Sequence, residues 1–222
     1  MVLDQIVRRN RTRLLKKMGK HRDSPWMRPC EEDLIKDVVR ALQPMRCLEW
    51  GGGMSTLQFP DLLPAAATWC TIEHDTAWAR QLSTMITRPG VTVKHVPPDD
   101  PRFTGDGDER SFAAYLAAAD DGAPYDLMFI DGRSRAACVE RAKTLLSPRG
   151  VVILHDANRD YYLEPTKSFA NQLLFRDRRA SGKRISGGVW LGSPQRNFRE
   201  LFDVALHERV WAFYRGAGRL FA

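Results

Sequence analysis

No stretch of the 222 residues comes near eighteen consecutive apolar positions, so a membrane-spanning helix is excluded. An apolar leader is missing too: the first residues are charged, which argues against a secretory signal. Cysteine is sparse. Cys30, Cys47, Cys70 and Cys138 stand at wide, irregular intervals without a Cys-x-x-Cys pair. That speaks against a zinc site or a disulfide framework and for free thiols in a reducing compartment. These absences together point to the cytoplasm. Internal repeats and low-complexity tracts are also lacking, and the length suits one domain with short appendages.

Acid is scarce at the start of the chain. Residues 1–22 carry the basic residues from Arg8 to Arg22 against a single Asp4, within a formal charge of +7 for the whole sequence. Leu3, Ile6, Val7, Leu14, Leu15 and Met18 are compatible with one apolar stripe on a helix. Two readings stay open. The arm binds an anionic partner, nucleic acid or a membrane surface, or it packs on the body or on a second subunit of a homo-oligomer. No aromatic residue interleaves the charges for base stacking, which favours packing.

The remainder alternates between strand and helix signals. A helix is expected from Glu31 to about Leu42, with Glu31, Glu32 and Asp33 in its first turn and Leu34, Ile35, Val38, Val39 and Leu42 facing inward. Apolar strands are expected at residues 45–48, 68–72, 91–96, 125–130 and 151–154. Helices are expected at 57–63, 76–87, 111–119, 134–146 and 166–175, with Ser147 to Gly150 turning the chain. Residues 184–186 and 189–191 read as a hairpin around the two-residue turn Gly187-Gly188. A final amphipathic helix is expected from Gln195 to Tyr214. The expected organisation is a basic arm 1–22, a leading helix 23–44, a core 45–193 and a C-terminal helix 194–222. Strand-helix alternation predicts an α/β fold with a doubly wound, mostly parallel sheet covered on both faces.

Chemistry-bearing residues gather where these strands end. The first runs through Glu49 into Gly51, Gly52 and Gly53, where the backbone can turn sharply and approach a ligand, with Ser55 or Thr56 placed to cap the next helix. Glu73-His74 ends the second strand, Asp131 the fourth and His155-Asp156 the fifth. Ligands of open parallel sheets bind along that edge, and an acid about twenty residues past the glycines is placed to hold ribose hydroxyls. Thr56 stands where a dehydrogenase would carry its third glycine, which disfavours a nicotinamide oxidoreductase.

The segments CLEWGGGMST, TIEHD, YDLMFIDG and LLSPRGVVILHD, in that order, resemble the class I S-adenosylmethionine-dependent methyltransferases, in the style of the small-molecule O-methyltransferase branch. The resemblance covers roughly residues 30–193 and implies a seven-stranded Rossmann-like sheet with a C-terminal antiparallel hairpin. It also implies an enzyme that moves a methyl group from S-adenosylmethionine to O or N of a small-molecule acceptor. Gly51 and Gly53, with Gly52, Ser55 and Thr56, would form the cofactor turn. Glu49 would hold that turn or face the methionine ammonium, Glu73 and His74 would lie at the ribose, and Asp131 near the transferred methyl. His155 and Asp156, then Asp131, are the candidate bases, since imidazole titrates near neutrality. The alternative for His155 is a strand-end residue bonded to neighbouring backbone. Arg133, Arg135 and Tyr161 would line the acceptor side. Some relatives hold a divalent cation with acids after the fourth and fifth strands. Asp131 and Asp156 match two such ligands, but Ala157 stands in the third place, so Mg²⁺ is not favoured. An RNA or protein methyltransferase that uses the basic arm is the alternative activity, and a non-catalytic scaffold of the same fold is the reading from another class.

Overall fold

Several of the apolar runs show no polar alternation, as strands covered on both faces require. In the computed structural model, which describes Val7 and residues 25–100, 110–176 and 187–220, they form the centre of one sheet. Its strands are β1 (Arg46–Trp50), β2 (Thr68–Glu73), β3 (Val91–His95), β4 (Tyr125–Ile130), β5 (Leu146–His155), β6 (Asn171–Phe175) and β7 (Val189–Ser193). The order is β3-β2-β1-β4-β5-β7-β6. The first five strands are parallel, and β7 lies antiparallel between β5 and β6. This is the doubly wound seven-stranded sheet with a C-terminal antiparallel pair that the sequence predicts.

The two-residue period of the strands sorts their side chains into two cores. Leu127, Phe129, Val151, Ile153 and Leu191 face one layer with α1 (Pro29–Leu42). Met128, Ile130, Val152, Leu154 and Trp190 face the other, against α4 (Ala113–Ala117) and α5 (Arg135–Leu145). All ten are buried, each worth about 1.5–3 kcal/mol of apolar transfer for a side chain of this size. The remaining helices are α2 (Met54–Gln58), α3 (Thr76–Met85), α6 (Phe198–Leu201) and α7 (Val204–Leu220). Among the described residues, no helix is long and apolar enough to cross a membrane.

Several local expectations are corrected. Residues 166–175 are not helical: Pro165–Ser168 form a 3-10 turn and Asn171–Phe175 are strand β6. The run NQLLF fits either period, and strand pairing decides it, because Leu173 and Phe175 pack on the first core while Gln172 Oε1 accepts from Trp190 Nε1 on the opposite face. The hairpin partner of β7 is therefore β6. Residues 184–186 lie outside the described residues. Gly187 and Gly188, at φ +99 and +109, lead into β7. Ser147 to Gly150 stay within β5, where the register against β4 shifts. The helix expected over 57–63 starts earlier, at Met54, and gives way to a 3-10 turn at Pro60. The C-terminal helix is broken at Phe202, whose backbone is extended, and Asp203 Oδ1 accepts from Leu206 N as the chain re-enters helix. Of the basic arm only Val7 is described, helical and exposed.

Candidate active site

The turn after β1 is built by contacts that need glycine. Gly51 has φ +94, and a Cβ there would lie 2.3 Å from the Gly132 backbone. The reverse also holds: a Cβ on Gly132 would meet Tyr115 Oη at 2.3 Å and Gly51 at 2.8 Å. The loops leaving neighbouring strands β1 and β4 thus touch backbone to backbone, joined by Asp131 N donating to Trp50 O at 2.9 Å. Gly52 N donates to Glu73 Oε2 at 2.7 Å, and a Cβ on Gly52 would lie 2.7 Å from Leu82. Gly53 differs. Its backbone is extended, at φ −168, and a Cβ would come no nearer than 3.6 Å to any atom, that of Ser55 Oγ. The protein's own packing gives no reason for glycine there; an approaching ligand does.

Glu49 anchors the turn from below. It is fully buried, and its carboxylate accepts from Ser55 Oγ, Thr56 Oγ1, Thr71 Oγ1 and Trp69 Nε1. Burial outweighs these bonds and pushes its carboxyl up to about 7. Gly53 is the N-cap of α2; the Ser55 hydroxyl turns in to Glu49, and Thr56 Oγ1 both donates to Glu49 and accepts from Gly53 N at 3.1 Å. Glu49 is in turn enclosed by the loop's own donors rather than presented above it.

Glu73, at the end of β2, is buried and accepts from both Gly52 N and Asp75 N, each at 2.7 Å. Arg133 Nε donates to His74 Nε2 at 3.2 Å, which leaves the imidazole proton on Nδ1, 2.8 Å from Glu73 Oε1. Arg133 and His74 thus span the ends of β4 and β2 across the glycine turn of β1. Trp50 belongs to the core and donates to Tyr115 O.

The other half of the site is a buried chain of charges. His155 ends β5 with its Nδ1 2.8 Å from Asp131 Oδ1 and its Nε2 3.5 Å from Glu31 Oε2. These two carboxylates outweigh the desolvation of the ring and hold His155 up to about 10. Glu31 is held down to about 2, against its burial, by His155, Arg28 and Gly188 N, and Asp131 is lowered by His155 and Arg135. His155, expected as a candidate base, lies between two acids whose charges favour its protonated form. Arg135, expected on the acceptor side, turns back onto the strand ends. Its three guanidinium nitrogens donate to the carbonyls of Gly132, Asp131 and His155. Asp156 adopts a left-handed backbone, φ +57, at the strand end, with its carboxylate 3.6 Å from Arg135 and 3.8 Å from Arg159. Such strained conformations recur at functional sites. Tyr161 is exposed and packs on the buried Tyr162.

No known protein family matches the chain's sequence, and no curated protein matches it. Solved structures do. The O-methyltransferase TomG of Streptomyces achromogenes, involved in tomaymycin synthesis and solved with S-adenosylmethionine, is 18% identical, with a TM-score of 0.57 over 82% of this chain and 86% of its own. An O-methyltransferase of Bacillus cereus, solved with S-adenosylhomocysteine, is 17% identical, with a TM-score of 0.57 over 86% and 90%. A methyltransferase-like protein of Silicibacter pomeroyi is 19% identical, with a TM-score of 0.54 over 86% and 98%. The chain has the methyltransferase fold.

On that fold the turn at Gly51–Gly53 fits the cofactor the resemblance implies: a Cβ on Gly53 would make only ordinary contacts with the protein, and Glu73 stands beside Gly52. A divalent cation does not fit in the same way. Asp131, His155 and Asp156 do bring donor atoms within 4.8 Å of one another. Arg135 already lies against both carboxylates, and two like unit charges 4 Å apart repel by about 4 kcal/mol at a protein's effective dielectric. Glu31 is the site residue that sequence reasoning missed. It reads as one of three helix-dipole acids, and nothing local separates it from Glu32 and Asp33.

Proposed function

We propose that the chain is an S-adenosylmethionine-dependent methyltransferase acting on O or N of a small-molecule acceptor. The observation that carries this is Gly53, a glycine that nothing in the protein requires, beside the Glu73–Gly52 contact at the crevice between β1 and β4. Ligands bind at that switch point in open α/β sheets. S-adenosylmethionine, when bound, supplies a sulfonium methyl for in-line displacement, so the protein has chiefly to align the acceptor and manage one proton. The Gly52–Gly53 backbone would hold the cofactor, with Glu73 and His74 at its ribose. Asp156 is the group proposed to accept the acceptor's proton or orient its hydroxyl or amine, because His155 is held charged and Asp131 is paired closely, at 2.8 Å to His155 and 3.0 Å to Arg135, whereas the cations beside Asp156 stand at 3.6 and 3.8 Å. Arg133 has no carboxylate within ion-pair reach among the described residues and would meet an anionic group on the acceptor. The four cysteines are free, which supports the cytoplasmic placement.

The test is calorimetric titration with S-adenosylmethionine and S-adenosylhomocysteine of wild type, Gly53→Val and Glu73→Ala. Wild type should bind both ligands. Gly53→Val should keep its circular dichroism spectrum and lose binding, since its backbone suits any residue. Absence of binding by folded wild type, or full binding by Gly53→Val, overturns the proposal.

A further inference from the structure

Two carboxylates facing each other at the ends of adjacent parallel strands, Asp131 after β4 and Asp156 after β5, are a natural seat for a divalent ion. In this protein a side chain furnishes that seat. Arg135, in the first turn of α5, folds back beneath the strand ends and is 11% exposed. Its Nε donates to Gly132 O at 2.9 Å, Nη1 to His155 O at 2.8 Å and Nη2 to Asp131 O at 2.7 Å. The same Nη2 is 3.0 Å from Asp131 Oδ1, and Nη1 is 3.6 Å from Asp156 Oδ2. The Tyr162 ring stands 5.7 Å from the guanidinium carbon.

We propose that Arg135 is a resident cation that takes the place of a divalent metal ion in this site and fixes the geometry of the Asp131–Asp156 pair. A metal ion would have to enter against the guanidinium charge. The guanidinium in turn is held by three carbonyls that would lose their donors if it left, a costly exchange in a buried setting. A planar fork with five donors can satisfy both strand ends at once, which a lysine ammonium could not. Each carboxylate also has a second cationic neighbour, His155 at Asp131 and Arg159 at Asp156, so charge at the strand ends is balanced by side chains alone. Arg135 is thus a positioning residue: it sets where Asp156 meets the acceptor without touching the acceptor itself.

The catalytic consequence rests on the methyltransferase reading, but the cation readout does not. Mn²⁺ binding to the full chain is measured by electron paramagnetic resonance for wild type, Arg135→Ala and Arg135→Ala/Asp156→Asn. Wild type should show no saturable site below millimolar Mn²⁺. Arg135→Ala should acquire one site, about a hundredfold tighter or more, from the repulsion removed. The double variant should lose it again. Stoichiometric micromolar Mn²⁺ binding by wild type overturns the proposal, as does a folded Arg135→Ala that binds no better than wild type. Arg135→Gln, which keeps an amide donor for one carbonyl, replaces Arg135→Ala if the latter does not fold. Failure of wild type to bind S-adenosylmethionine would sink the methyltransferase reading and leave the Mn²⁺ result standing.

Discussion

Replacing Glu31 by Gln should destabilise the protein by about 3 kcal/mol, the lower end of the range for removing one partner of a buried ion pair. The side chain is 1% exposed and accepts from Arg28 N at 2.7 Å, Arg28 Nε at 3.0 Å and Gly188 N at 2.6 Å, with His155 Nε2 at 3.5 Å. Gln keeps the volume, so no cavity opens, but its amide turns donors toward donors and leaves His155 with Asp131 alone. The lower end applies because the His155 contact is long. For a chain of this length the loss corresponds to about 6–12 °C in Tm. The pH dependence follows from the shifts. Glu31, lowered from 4.5 to about 2, contributes stability that is present above 4.5 and lost as pH falls through 2. His155, raised from 6.5 to about 10, contributes stability that is present below 6.5 and lost as pH rises through 10. The gap between wild type and Glu31→Gln should therefore be widest between pH 4.5 and 6.5 and narrow toward pH 10. Urea unfolding followed by tryptophan fluorescence at pH 5.5, 7 and 9 measures it. A gap below about 1 kcal/mol at pH 5.5, or one that widens toward pH 9, refutes the buried charge chain.

Gly51→Ala should fail to give folded protein, or melt far below wild type in a thermal scan, because φ +94 and the Gly132 backbone at 2.3 Å both oppose a Cβ. Glu49→Gln should also close on wild type as pH rises, but in a lower window than Glu31→Gln. The Glu49 carboxyl is raised from 4.5 to about 7, so wild type loses stability as pH rises through that window and the neutral variant gains on it in urea unfolding from pH 5 to 8. Asp156→Asn should lower kcat by about a hundredfold in a methyl-transfer assay while leaving S-adenosylhomocysteine affinity by calorimetry within about twofold of wild type.

The sheet was legible because its information is local. Leu127–Ile130 and Val151–Leu154 are apolar on both faces, the pattern of parallel strands buried between helices. The positions of the glycines, Glu73, Asp131 and His155-Asp156 at the carboxyl edge followed from counting along the same alternation. The chemistry of those residues did not follow, because it depends on partners distant in sequence. His155 looks like a base until Glu31, from a helix more than a hundred residues earlier, is found beside it. Arg135 looks like an acceptor clamp until the carbonyls at the ends of β4 and β5 are seen to claim it. Asn171–Phe175 was misread as helix for a related reason: five residues fit two periods, and the strand that decides between them, β7, comes later in the chain.

The bond from Gly188 to Glu31 spans 157 residues of sequence, and this bears on how the protein is made. At ribosomal rates of about 5–20 residues per second, Glu31 leaves the ribosome roughly 8–30 s before Gly188 exists. Strands β1 to β5 can pair in that interval, each finding a parallel neighbour already synthesised. Glu31 has Arg28 at once and His155 when β5 is made, but its third partner, the Gly188 N–H, comes last. The last donor to Glu31 therefore arrives only with the β6–β7 segment, after every charged group of that edge has been made. A nascent chain stalled before β7 holds the five parallel strands with Glu31 short of one donor, and the last strand to be made brings it.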